Sequence, residues 1–130
     1  MITGFTIQLF IKDIKEAERW YTYVIGRGPD SIPFQNFLEW EVIPGLMLQV
    51  TERNLIDSKP LSGRMRFGIT DIVSERLKIV KELGAEVSKI EEIPGTVRWC
   101  NFNDPWGNKL GYFQDLKKFP VNQDFDMEFK

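Results

Sequence analysis

Imidazole is missing from the side chains that could do chemistry in this sequence, because its 130 residues contain no histidine. Ser-His-Asp and Cys-His relays, imidazole acid/base catalysis and metal sites built on imidazole are excluded with it. What remains are carboxylates, amines, hydroxyls, amides and one thiol, Cys100. A nucleophilic Cys100 needs a neighbour such as Arg98 to stabilise its thiolate, so the expected role is that of a small buried residue. Glu39 and Glu41 lie two apart on one strand face and read as a solvated edge rather than an acid/base pair. Arg64 and Arg66 have the same spacing, and are either polar anchors for a ligand or solvated, carboxylate-paired arginines. Trp20, Trp40, Trp99 and Trp106 could stack on a planar or cationic ligand, with core packing the commoner role for each. Gly26-Arg27-Gly28 follows a helical stretch and lacks a third glycine, so it is no dinucleotide fingerprint.

Charge and composition narrow the partners. Seventeen Lys plus Arg against nineteen Asp plus Glu leave a net charge of -2, and the longest basic run is Lys117-Lys118. Phosphate binding normally needs a basic stripe, so no nucleic-acid partner is expected. A single cysteine cannot form an intrachain disulfide, which suits a reducing compartment. No apolar run approaches the ~20 residues of a membrane span, and the first residues lack a charged leader with an apolar core. The expectation is a cytoplasmic protein with no membrane partner.

These side chains must be positioned by recognisable elements. Residues 5–12 alternate Ile7, Leu9 and Ile11 with Thr6, Gln8 and Phe10, which predicts a strand. Asp13 then caps a helix that carries Ile14, Ala17, Trp20, Tyr21 and Val24 at helical spacing and stops at Gly26. Residues 38–42 and 46–51 read as two strands joined by the turn Pro44-Gly45. A strand at 64–70 follows, then a helix from Asp71 to Gly84 with Val73, Leu77 and Val80 at helical spacing. Strands at 97–103 and 109–114 close a hairpin around Asp104-Pro105-Trp106-Gly107-Asn108.

The spacing repeats. An offset of 58 pairs Ile11 with Ile69, Asp13 with Asp71 and Gly26 with Gly84, while an offset of 62 pairs Gly45 with Gly107 and Leu48 with Leu110. Caps and terminal glycines occur in unrelated strand-helix pairs, but their matched intervals argue for a duplicated βαβββ unit. The expected organisation is one domain of two repeats at 5–52 and 64–115, a polar linker at 53–63 and an extension at 116–130. That extension contains Phe119, Phe125, Met127 and Phe129, and is an arm folding back, a partner contact or a frayed tail.

The stretch from Phe5 to Asp13 followed by Trp20-Tyr21, and Phe102-Asn103-Asp104-Pro105-Trp106-Gly107-Asn108, resemble the vicinal oxygen chelate superfamily of glyoxalases, bleomycin-resistance proteins and extradiol dioxygenases. The latter is similar to the family's F-x-D-P-x-G-N turn. The resemblance covers about residues 5 to 115. It implies an α+β fold in which two βαβββ units in tandem form a curved, open-barrel mixed sheet with helices on the convex side.

The resemblance also implies a small-molecule cavity on the concave side and, in metal-dependent members, ligands on the first and last strand of each unit. Those positions here read Thr6, Gln49, Arg64 and Gly111, and a shift of two residues substitutes Gln8 or Arg66. Neither set suits a transition metal, so no metal and no cofactor is expected. The implied concave face collects Thr6, Gln8, Phe10, Met47, Gln49, Thr51, Arg64, Arg66, Lys109, Gly111 and Phe113, joined by Arg98, Cys100 and Phe102 from a neighbouring strand, while Trp40 and Trp99 face either the cavity or a dimer partner. The residues expected to bind a ligand are Gln8, Phe10, Gln49, Arg64, Arg66, Arg98, Trp99 and Phe113. The leading expectation is a metal-independent homodimer that holds a small organic molecule and sequesters a toxic compound. The rivals are a lyase, isomerase or dioxygenase with an atypical metal site drawing on Gln8, Gln49, Glu39 or Glu41, and a non-catalytic dimerisation or regulatory module.

Overall fold

A computed structural model describes residues 1, 3–33, 35–53 and 63–117. Its elements run β1 (Phe5–Ile11), α1 (Ile14–Ile25), β2 (Phe37–Ile43), β3 (Leu46–Glu52), β4 (Arg64–Gly68), α2 (Ile72–Leu83), β5 (Glu91–Ile93), β6 (Val97–Asn103) and β7 (Lys109–Asp115). They form two unclosed mixed sheets, ordered β1-β3-β2 and β4-β7-β6-β5. In each, the first strand runs parallel to the last and the remaining pairs are antiparallel. This is the α+β architecture expected from the two βαβββ patterns.

The second strand of each unit is the part that alternation does not reveal. In the second unit it is β5, an exposed Glu-Glu-Ile triplet too short to carry a periodic pattern. In the first unit it shrinks to a single bridge between Ser31 and Glu39. Most of the expected linker and all but the first two residues of the expected extension lie outside the described residues.

Both helices are built the same way. The Asp13 carboxylate accepts from the amides of Lys15 and Glu16 at 3.0 and 3.1 Å, and Asp71 accepts from Ser74 N at 3.1 Å. Each satisfies donors that a helix start otherwise leaves open. The helices end at Gly26 and Gly84, whose φ values of 97° and 64° lie in the left-handed region that glycine enters most cheaply. A further amide in each first turn is closed from the last strand of its own unit: Ile14 N donates to Glu52 Oε1 and Ile72 N to Gln114 Oε1, both at 2.9 Å. The partners again differ by 58 and 62 positions, so the structural correspondence extends to a side-chain contact.

One core spans both units. Helix α1 buries Ala17, Trp20, Tyr21 and Val24, as its spacing predicts. Trp20 and Tyr21 meet edge to face at 5.0 Å, Trp20 tilts against Phe102 at 5.9 Å, and the Tyr112 hydroxyl donates to Val24 O at 2.7 Å. Trp40 is fully buried and donates its indole N–H to Arg27 O, so it belongs to this core rather than to a ligand face. Helix α2 corrects the sequence reading: it buries Ile72 and Ile79, while Val73, Leu77 and Val80 are exposed. The helix carries two apolar stripes at helical spacing, and periodicity does not say which one meets the core.

No helix among the described residues is long and apolar enough to cross a membrane.

Candidate functional site

Strand register assigns the faces. On the first sheet, Gln8 lies opposite Gln49, Phe10 opposite Thr51 and Glu39 opposite Gln49, all directed away from the buried Leu9, Leu48 and Val50. On the second, Arg64, Arg66 and Gly68 lie opposite Lys109, Gly111 and Phe113. Asn103, Asn101 and Trp99 complete those rows from β6. Seven of the eight residues expected to bind a ligand therefore occupy two patches, with Gln8, Phe10 and Gln49 on one sheet and Arg64, Arg66, Trp99 and Phe113 on the other.

Arg98 does not join them. Successive strand residues point to opposite faces, so Arg98 shares a side with the buried Cys100 and Phe102, and its guanidinium pairs with Glu92 at 2.6 Å. Cys100 and Phe102, expected to join the concave lining, pack in the core instead. Burial raises the Cys100 thiol above its ordinary range, which removes the thiolate a nucleophile needs. In mildly alkaline buffer, Cys100 is expected to resist an aromatic disulfide reagent in the folded protein and to react fully in denaturant. Rapid labelling of the native form would contradict this.

The first patch is held by contacts of its amide side chains and of the Phe10 ring. Gln8 Nε2 donates to Thr51 Oγ1 at 3.2 Å, and Gln49 Nε2 donates to Glu39 Oε2 at 2.9 Å. The Arg53 guanidinium lies 4.9 Å from the centre of the Phe10 ring. Glu39 is thus occupied by an amide, and Glu41 accepts from Gly45 N at 3.3 Å, so the two carboxylates do not form an acid/base pair.

The second patch is cationic. Arg66 crosses Gly111, and its Nε and Nη2 both donate to Asn101 Oδ1, at 3.0 and 2.8 Å. A Cβ at Gly111 would lie 3.0 Å from Arg66 Cγ and 2.5 Å from Cys100 O, so the absent side chain is what lets the arginine lie flat. Arg64 Nη1 donates to the carbonyls of Phe102 and Leu110. Burial first, and then the neighbouring Arg66 charge, lower the Arg64 pKa. Among the described residues neither arginine has a carboxylate partner.

Two cavities border this sheet. One of about 430 Å³ is lined by Arg64, Asn101, Asn103, Trp20, Leu83 and Pro105 among others. The other, about 390 Å³, is mainly apolar, with Ile7, Val42, Met65, Phe67, Ile69 and Phe113 in its wall. Sequence alternation misses that wall, since Ile7, Met65 and Phe67 lie on the helix side of their strands.

The turn that follows β6 is built around a buried carboxylate. Asp104 Oδ2 accepts from the Tyr21 hydroxyl and Asn108 Nδ2, each at 2.7 Å, and Oδ1 accepts from the amides of Trp106 and Asn108 at 2.9 and 2.8 Å. Asn108 Nδ2 also donates to Phe10 O at 3.0 Å, which ties the turn to the first unit. Burial raises the Asp104 carboxyl above the usual range against the pull of these bonds, and raises the Tyr21 hydroxyl well above its own. The site is structural, since its acceptors are filled from within the chain.

No family model and no curated protein matches this sequence. Solved structures do. A glyoxalase/bleomycin resistance protein from Catenulispora acidiphila DSM 44928 is 21% identical, with a TM-score of 0.68 over 85% of this chain and 96% of that one. A protein from Bacillus anthracis described as a putative glyoxalase family protein is 16% identical, with a TM-score of 0.64 over 86% and 93%. TnmS3, an antibiotic binding protein from Streptomyces sp. CB03234, is 20% identical, with a TM-score of 0.67 over 85% and 93%. The chain has the vicinal oxygen chelate fold.

Strand register places the four positions that the resemblance implies for metal ligands. Gln8, not Thr6, is level with Gln49, and Arg66, not Arg64, is level with Gly111. In either reading the set contains a cation and a residue without a side chain. Among the described residues no three His, Cys, Asp or Glu side chains converge to hold a metal. The residues present do not fit a divalent transition metal, whose ligands are thiolate, imidazole or carboxylate.

Proposed function

We propose that this protein binds a small organic molecule on the open sheet faces of its glyoxalase-type fold without a metal, and that it sequesters a toxic compound. The observation that carries the reading is Arg66 lying across Gly111, with the guanidinium fixed to Asn101 where a metal-dependent relative would bring its ligands together. A fixed cation at that point repels a metal ion and offers donors to a polar ligand. The cavity of about 430 Å³ beside Arg64 and Asn101 is of a size that takes a small molecule. The likeness to TnmS3, an antibiotic binding protein, is in keeping with sequestration.

A homodimer in the cytoplasm is part of this reading. The sheet faces carrying Gln8 and Arg66 are exposed in one chain, which leaves their open side free to be enclosed by a second copy without being filled by it. The lone Cys100 is a buried thiol, in keeping with a reducing compartment.

Native mass spectrometry of protein purified without added ligand tests the whole proposal. The expected result is a dimer mass with a carried organic molecule and no stoichiometric metal. One zinc, nickel or iron per chain would overturn metal independence, and a monomer at every concentration would overturn the dimer.

A further inference from the structure

We infer that the ligand of the second sheet carries an acidic group, a carboxylate on an apolar or aromatic body, and that Arg64, Arg66 and Lys109 read it. The inference rests on the small-molecule reading and adds the ligand's charge to it.

Three cations meet on one face. Arg64 and Lys109 are register partners, and Arg66 is two residues along β4, opposite Gly111. Both arginines are positioned by neutral acceptors, the Phe102 and Leu110 carbonyls and the Asn101 amide oxygen, which fix their direction without neutralising their charge. Arginines held in this way have already lost much of their side-chain freedom, so presenting them to an anion costs little further entropy. The depressed Arg64 pKa reflects the same arrangement, a partly desolvated cation beside another cation.

Among the described residues no acid forms an ion pair with these cations. Asp104 borders the 430 Å³ cavity but is saturated by four hydrogen bonds. Asp115 shares the face but lies four residues along β7 from Gly111, about 13 Å away at strand spacing. Glu91 is three strands from β4, about 14 Å. Glu86 is the remaining acid of the cavity lining, on the exposed segment after α2. Next to the cations, Trp99 and Phe113 are register partners on the same face, and the Phe113 ring covers Gly68. An aromatic body on this pair would bring an acidic substituent to Arg66 and Asn101, one row away.

The test measures binding of 2-naphthoate, 2-naphthamide and 2-naphthylmethylammonium to the full chain by tryptophan fluorescence and calorimetry. The acid is expected to bind about tenfold more tightly than the amide, as a charge-assisted bond allows. That advantage should fall with added salt and vanish in Arg66→Gln, an exposed position whose replacement leaves the core intact. Equal binding of acid and amide, preference for the cation, or an unchanged advantage in R66Q would overturn the acid reading. Inorganic phosphate competing as well as naphthoate would also overturn it, in favour of a bare anion site. Failure of all three probes overturns it too, and the native mass then reports separately whether an organic molecule is carried at all.

Discussion

Replacing Asp104 with alanine is expected to cost roughly 3 kcal/mol of stability at neutral pH and to lower the melting temperature by about 10 °C. The carboxylate is 4% exposed and is the shared acceptor for the Tyr21 hydroxyl, the Asn108 amide group and two turn amides. Alanine leaves buried donors without partners, which costs more than the bonds themselves contribute. Tyr21→Phe removes one of these donors together with its need for an acceptor, and is expected to cost about 1.5 kcal/mol. Because both changes act on one network, the double variant should lose less than the sum of the two.

The pH dependence follows from the direction of the shift. Burial raises the Asp104 carboxyl above its unfolded value, so the folded chain holds that proton more tightly. The associated stability is fully present below the unfolded value of about 3.9 and is lost as pH rises through the raised one. The D104A deficit should therefore be largest in acid and shrink toward neutrality. A deficit that grew with pH across this window would show that the carboxyl is depressed instead. Chemical denaturation of both proteins across pH 4 to 8 measures it.

Gly111→Ala carries the second large effect, about 2 kcal/mol of lost stability, within the range for overpacking a close-fitting site. Its Cβ would sit 2.5 Å from the Cys100 carbonyl oxygen, which belongs to the β6 backbone and cannot rotate away. The pairing of Asn101 with Gly111 must open, or β7 must shift. Arg66 Cγ, 3.0 Å from the same point, is flexible and would be lifted off the sheet, taking its bonds to Asn101 with it. Gly28→Ala is the control, since nothing lies within 4 Å of a Cβ there, and a change below about 0.5 kcal/mol is expected. If G111A were as stable as the parent, Arg66 would not depend on the missing side chain. Thermal and denaturant melts of the three proteins decide it.

Sequence patterning located the parts of this fold that repeat and could not locate the parts that depend on distant partners. Helix α1 was legible because Ala17, Trp20, Tyr21 and Val24 form a single apolar stripe. Helix α2 was legible as a helix, but its buried side was not, because Ile72 and Ile79 compete with Val73, Leu77 and Val80. The site residues divide in the same way. Alternation alone separates Arg98 from Trp99 and puts Arg98 on the side of Cys100 and Phe102. The contact between Arg66 and Asn101 depends on the register of three strands, β4, β7 and β6, which no single stretch of sequence encodes. The Asp-Pro-Trp-Gly-Asn turn was visible as a turn, while its reach to Tyr21 and Phe10 was not.

That reach has a consequence for how the chain is made. The bonds from Tyr21 to Asp104 and from Asn108 to Phe10 join residues 83 and 98 positions apart. Contacts of such separation close late, because the entropy of a long loop must be overcome before they form. During synthesis, the first unit therefore leaves the ribosome with Tyr21 and the end of β1 still lacking their partners, and it stays unfinished until Asn108 has emerged. Protein truncated before that turn should collect in chaperone-bound or degraded form, even though it contains a whole βαβββ repeat.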